Sequence, residues 1–181
     1  MTEKIMLVDP EDHCIGYGEK LEVHRMHQLH RAFSVFLVRD GEMLIQKRAA
    51  GKYHSAGLWA NACCSHQHEG ETLEEAVRDR LQFELGIPEG SCNPEELFHF
   101  TYYADYGELA EYEIDHVFLA SYCGEIWLNP DEAEEAIWIS FEALKKNLQD
   151  CPAYYAAWFL TAAARVMEIL ENKDKERNAY E

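Results

Sequence analysis

Short apolar blocks bounded by turn residues run along the chain, and most predict strands. KIMLV at 4–8 is the first, closed by Asp9-Pro10. KLEVHRMHQLH at 20–30 shows no clear period and predicts an irregular segment holding three histidines. RAFSVFLVR at 31–39 is almost continuously apolar, the pattern of a strand buried on both faces. Asp40-Gly41 is a hairpin signal leading into EMLIQKR at 42–48. FHFTYYAD (98–105), EYEIDHVFLASY (111–122) and IWIS (137–140) read as further strands. The clearest helix covers 71–86, where Thr72 and Glu75 have capping-box spacing and Gly86 supplies the stop. A short helix is expected from Phe141, and a long one opened by Pro152 at its first turn. The charged stretch 171–181 is expected to fray. Strands around one central helix, with another helix at the end, give an α+β or α/β layered domain. No internal repeat, low-complexity linker or clear domain boundary interrupts it.

Composition narrows the class. At 181 residues, 48% hydrophobic and 12% aromatic, the chain builds one domain with a sizeable core, or a domain with an extension. No apolar run approaches the ~20 residues of a membrane helix. The opening MTEKIMLVDPED lacks a signal-peptide layout, so a cytoplasmic protein is expected. There the six cysteines (Cys14, Cys63, Cys64, Cys92, Cys123 and Cys151) stay reduced, and no CxxC pair marks a zinc or redox site. Each reads first as a small buried hydrophobe. The net charge of −18 argues against nucleic acid or an anionic membrane as partner. An anionic substrate fits only where local cations or metal ions reverse the field.

Five constellations could carry chemistry. His24, His30, His66, Glu111 and Glu113 are possible metal ligands, and the two glutamates share one face of a strand. Imidazole plus carboxylate suits Zn²⁺, Mn²⁺ or Fe²⁺. Spacing alone favours a solvated acidic face with surface histidines, because no compact motif ties the five together. In NACCSH (61–66) a cysteine two residues from His66 is an activated thiolate, one of a ligand pair, or part of a turn with two buried cysteines. Ala76, Arg80 and Glu84 share a helical stripe, which is either a surface ion pair or a carboxylate for Mg²⁺ beside a guanidinium for phosphate. Lys47, Arg48 and Lys52 are three cations in six residues of an acidic chain: a phosphate site or a solvated hairpin tip. Tyr102, Tyr103, Tyr154, Tyr155 and Trp158 read mainly as packing, although an indole face also stabilises a developing cation.

Taken together, LHRAFSVFLV (29–38), QKRAAGKYHSAGLWANACCSH (46–66), HEGETLEEAVRDRLQFELGI (68–87), YYA (102–104), EYEIDHVFLA (111–120) and, more weakly, CPAYYAAWF (151–159) resemble the type I isopentenyl-diphosphate isomerases of the Nudix superfamily. The resemblance implies an α+β Nudix fold, a mixed sheet flanked by helices. Residues 1–27 become an extension with a strand and a metal-ligand segment, 28–165 the Nudix domain, and 166–181 the helix end and tail. The helix signature is degraded. Asp79-Arg80 stands where Arg-Glu is expected, and Phe83-Glu84 replaces a glutamate pair, so groups that activate water in hydrolases are missing.

Carried over residue by residue, the resemblance implies one transition metal, Mn²⁺ or Zn²⁺, on His24, His30, His66, Glu111 and Glu113. His27 lies close enough to compete with His24. Mg²⁺ would accompany a substrate diphosphate through Glu84 and the backbone around Cys64. Diphosphate contacts fall on Arg48, Lys52 and Arg80. Cys64 rather than Cys63 matches the catalytic cysteine, because it precedes His66 by two. Tyr102 and Glu113 match further catalytic positions, and Trp158 is the candidate aromatic wall. The implied reaction interconverts isopentenyl and dimethylallyl diphosphate by a 1,3 proton shift in isoprenoid biosynthesis. The implied partner is a small prenyl diphosphate, with no nucleic acid or membrane, and the chain is expected to be a monomer or weak dimer.

Overall fold

The computed structural model describes residues 3–52 and 54–178. Its elements, in chain order, are β1 (Lys4–Val8), β2 (Cys14–Glu19), α1 (Lys20–Arg25), β3 (His30–Arg39), β4 (Glu42–Arg48), β5 (Trp59–Ala60), β6 (Cys63–His66), α2 (Leu73–Leu85), β7 (Glu95–Asp105), β8 (Ala110–Ser121), β9 (Ala133–Ser140), α3 (Phe141–Asp150) and α4 (Ala157–Asn178).

Among the described residues, the nine strands form one mixed sheet around β3. β8 runs parallel to β3 from His30↔Glu113 to Val38↔Ser121, and β7 lies antiparallel outside it. Antiparallel to β3 are β1 at His30, β6 at Ala32–Val35 and β4 at Val38–Arg39. β9 continues the sheet beyond β4, and β2 beyond β1. The near-continuous apolar run of β3 is explained by cover on both sides. Phe33, Val35 and Leu37 pack with Val77, Leu81 and Leu85 of α2. Phe36 packs with Phe159, Ala162 and Val166 of α4.

The capping box forms as expected on α2. Thr72 accepts from the Glu75 N–H, Glu75 accepts from the Thr72 N–H, and Gly86 ends the helix at φ 64°. Other expectations need correction. The segment 20–30 is not irregular throughout: Glu19 caps the Glu22 N–H and starts α1. Pro152 opens a short 3₁₀ turn (Pro152–Tyr154) rather than the long helix, which begins at Ala157. The charged stretch from 171 continues α4 to Asn178, and residues 179–181 lie outside the described residues. β2 and the short β5 and β6 were not anticipated. No helix among the described residues is long and apolar enough to cross a membrane.

Candidate active site

Strand alternation builds the site. His30, Ala32 and Ser34 point one way from β3; by register, Glu113 and Asp115 stand beside them on β8, Tyr102 beyond Glu113 on β7, and Cys64 and His66 on β6. All of these but His30, together with Glu111 and Trp158, line a cavity of about 130 Å³. Cys63 is one residue out of phase. It faces the opposite side, is fully buried, and packs with Phe33 and Val77 against α2. A single step in sequence thus separates a core thiol from a cavity thiol.

His24, His30, His66 and Glu113 converge, with one donor atom from each within 4.8 Å of all the others. The His24 Nδ1–H donates to Lys20 O at 2.6 Å and the His30 Nδ1–H to Gln28 O at 2.8 Å. Since a carbonyl only accepts, a neutral His30 presents its Nε2 lone pair 3.2 Å from Glu113 Oε1. Such a contact becomes favourable when a proton or a metal ion lies between the atoms. His66 Nε2 meets the same oxygen at 3.0 Å. Burial lowers the His24 pKa to about 4 and pushes that of His66 well below the usual imidazole range. Burial pushes the Glu113 carboxyl up, but His30 and His66 outweigh it and hold it well below the usual carboxylate range. Imidazoles around a carboxylate are a donor set suited to a borderline divalent ion.

Glu111, the fifth of the expected ligands, is not among these four. Its Oε1 lies 2.8 Å from His54 Nε2, and its Oε2 lies 2.9 Å from the Tyr102 hydroxyl and 3.2 Å from that of Tyr106. The Tyr102 hydroxyl also lies 2.7 Å from Glu113 Oε2 and so bridges the two glutamates. Burial and both carboxylates push the Tyr102 phenol well above its usual value, so it remains a donor. His24, not His27, joins the His/Glu cluster; His27 is exposed and contacts the Tyr103 hydroxyl.

Burial raises the Cys64 thiol to about 12, with Arg48 opposing from 3.7 Å. Trp158 donates its indole N–H to Asn61 Oδ1 at 3.0 Å, and Asn61 in turn donates to Val35 O and Cys63 O. Asn61, invisible to motif reasoning, therefore links Trp158 to the cysteine strand. The Arg48 guanidinium lies 5.2 Å from the Trp158 ring centre.

Glu84 lines the same cavity and is 2% exposed. Its Oε1 accepts from Arg80 Nη2 at 2.6 Å and its Oε2 from Gln46 at 3.2 Å. Burial alone would depress the Arg80 pKa, but Glu84 and Glu132 raise it. Glu132 also pairs with Lys52 and lies 3.2 Å from Arg80, a link the sequence did not suggest. Lys47 points away and pairs with Glu134 at 3.3 Å. Two more groups went unnoticed. Lys20 lines the cavity. Asp115 is 1% exposed, and burial together with Glu113 pushes its carboxyl well above the usual range. Its position two residues after Glu113 was the available signal. Of the remaining aromatics, Tyr103 and Tyr154 are exposed and Tyr155 joins the core.

The pattern of the NUDIX domain matches residues 28–159. Isopentenyl-diphosphate Delta-isomerase 1 of Aromatoleum aromaticum is 41% identical over 181 residues, covering 99% of this chain and 100% of its own. Isopentenyl-diphosphate Delta-isomerase 2 of Photorhabdus laumondii is 42% identical over 161 residues, 88% of this chain and 89% of its own. A crystal structure from Deinococcus radiodurans superposes with TM-score 0.69 at 20% identity, covering 82% of this chain and 90% of that one, which shows the fold. The chain belongs to the Nudix superfamily and, within it, to the isopentenyl-diphosphate Delta-isomerase family.

Proposed function

We propose that this protein is an isomerase that interconverts isopentenyl and dimethylallyl diphosphate, with Cys64 and Glu113 carrying the two proton transfers. The observation that supports it most is the alternation that turns Cys64, and not Cys63, into the cavity holding Glu113, Tyr102 and Trp158.

The reaction adds a proton to the terminal methylene and removes one from the carbon nearer the diphosphate. An unactivated alkene is a very weak base, so both groups must be held in contact with it and water kept out. Cys64 and Glu113 rise from different strands into one small cavity, and Tyr102 orients the Glu113 carboxyl. Trp158, fixed by Asn61, offers its π face to positive charge developing at the tertiary carbon. Arg48, Lys52 and Arg80 supply the local positive charge that an acidic chain needs to hold a diphosphate.

His24, His30, His66 and Glu113 would hold a transition ion, Mn²⁺ or Zn²⁺, and Glu84 a Mg²⁺ arriving with the diphosphate. One carboxylate is enough for a Mg²⁺ that also binds phosphate oxygens. When bound, these ions neutralise diphosphate charge and polarise the carboxyl of Glu113. Release of Glu84 from Arg80 would free the carboxylate for the ion and the guanidinium for phosphate at once. Hydrolysis is disfavoured because Phe83, which stands in place of a glutamate, is exposed and carries no acid.

Incubation of the purified chain with isopentenyl diphosphate and Mg²⁺ tests the proposal. Dimethylallyl diphosphate should form without release of phosphate. Phosphate or pyrophosphate without the isomer would refute it.

A further inference from the structure

His116 follows Asp115 on β8, so strand alternation turns it to the side of the sheet opposite Glu113 and Asp115. His99 lies directly across from it on β7. Glu96 is three residues before His99 and would ordinarily face away from it. A register shift between Glu96 and Phe98, where β7 bulges, returns Glu96 to the same side. One donor atom from each of the three lies within 4.8 Å of the others, and none of them lines the cavity.

We propose that Glu96, His99 and His116 form a second metal site for a borderline divalent ion such as Zn²⁺. Glu96 Oε1 lies 2.8 Å from His116 Nδ1 and 3.7 Å from His99 Nδ1. Ligand atoms on one tetrahedral zinc lie roughly 3.3 Å apart, so small side-chain rotations suffice. Orientation of the central ligand is already provided. His116 Nε2 lies 2.9 Å from Asp12 Oδ2, and an Nε2–H donated there leaves the Nδ1 lone pair facing Glu96 and His99. Asp12 is itself fixed, because Arg31 donates Nε–H to its Oδ1 at 2.9 Å and an Nη2–H to its carbonyl. This is the carboxylate–imidazole–metal arrangement, built from three separate parts of the chain. An ion there would tie the turn between β1 and β2 to the β7–β8 pair.

The test is equilibrium dialysis of the full chain against Zn²⁺ with elemental analysis, comparing wild type with His99→Ala. The His99 side chain is 58% exposed, so its removal leaves the core intact. The inference is read from the difference between the two proteins, whatever the His24–His30–His66–Glu113 cluster binds. A loss of one equivalent in His99→Ala is expected. Asp12→Asn should keep the stoichiometry but weaken this equivalent by about 10–100-fold, as loss of an orienting carboxylate does. Equal Zn²⁺ content in wild type and His99→Ala would overturn the proposal and leave His116 as a bridge between Asp12 and Glu96 only.

Discussion

Cys63 and Cys64 are adjacent and chemically identical, yet one faces α2 and the other the cavity. Cys64→Ala should therefore lower isomerisation by several orders of magnitude in a steady-state assay, while Cys63→Ala should cost far less. Comparable losses would mean that both thiols act or that Cys63 is the working one. Glu113→Gln should match the loss at Cys64. Burial holds the Cys64 thiol at about 12, and only the thiolate reacts with alkylating agents. At neutral pH its labelling by iodoacetamide, mapped by mass spectrometry, should lag behind that of exposed Cys123. At this scale the sequence revealed residue types but not their meeting. His24, His30, His66 and Glu113 come from a short helix and three strands, and only strand pairing brings them together. The pairing of Glu111 with His54 and Tyr106 was equally hidden, since both partners lie in connecting segments outside the strands.

α2 was legible because its start and stop are local chemistry. Thr72→Ala removes one half of the capping box and should cost about 1 kcal/mol, measured as a shift in the urea midpoint. Gly86→Ala should cost more. At φ 64° a side chain adds ~1–2 kcal/mol of backbone strain. Its Cβ would also sit 2.8 Å from that of Trp127. The hairpin of β3 and β4 was legible for the same reason, through Asp40-Gly41. β2 was not. Its residues, CIGYGE, include none that is buried and show no alternation, and it exists because β1 offers an edge to pair with. β5 and β6 are too short to show a period. Pro152 misled because proline suits the first turn of either helix type.

The molecule as a whole carries a net charge of −18 and must still attract a diphosphate. Under the proposed function, Arg48, Lys52 and Arg80 of the cavity lining would do so, and Glu84 and Glu132 pair with two of them, Lys52 and Arg80. A chelator should abolish turnover, and a transition metal together with Mg²⁺ should restore it. Full activity in a rigorously metal-free preparation would remove the role given to the His/Glu cluster. The overall fold class was legible from the order of strands and helices. The mixed sheet was not, because the parallel pairing of β3 with β8 joins segments about eighty residues apart. The central claim is that protons pass between the protein and the two ends of an allylic system. Turnover of isopentenyl diphosphate in D₂O, followed by mass and NMR analysis of the product, tests it most directly. Dimethylallyl diphosphate carrying deuterium in the methyl group derived from the terminal methylene is the predicted result. Product without deuterium, or no isomer at all, would contradict it.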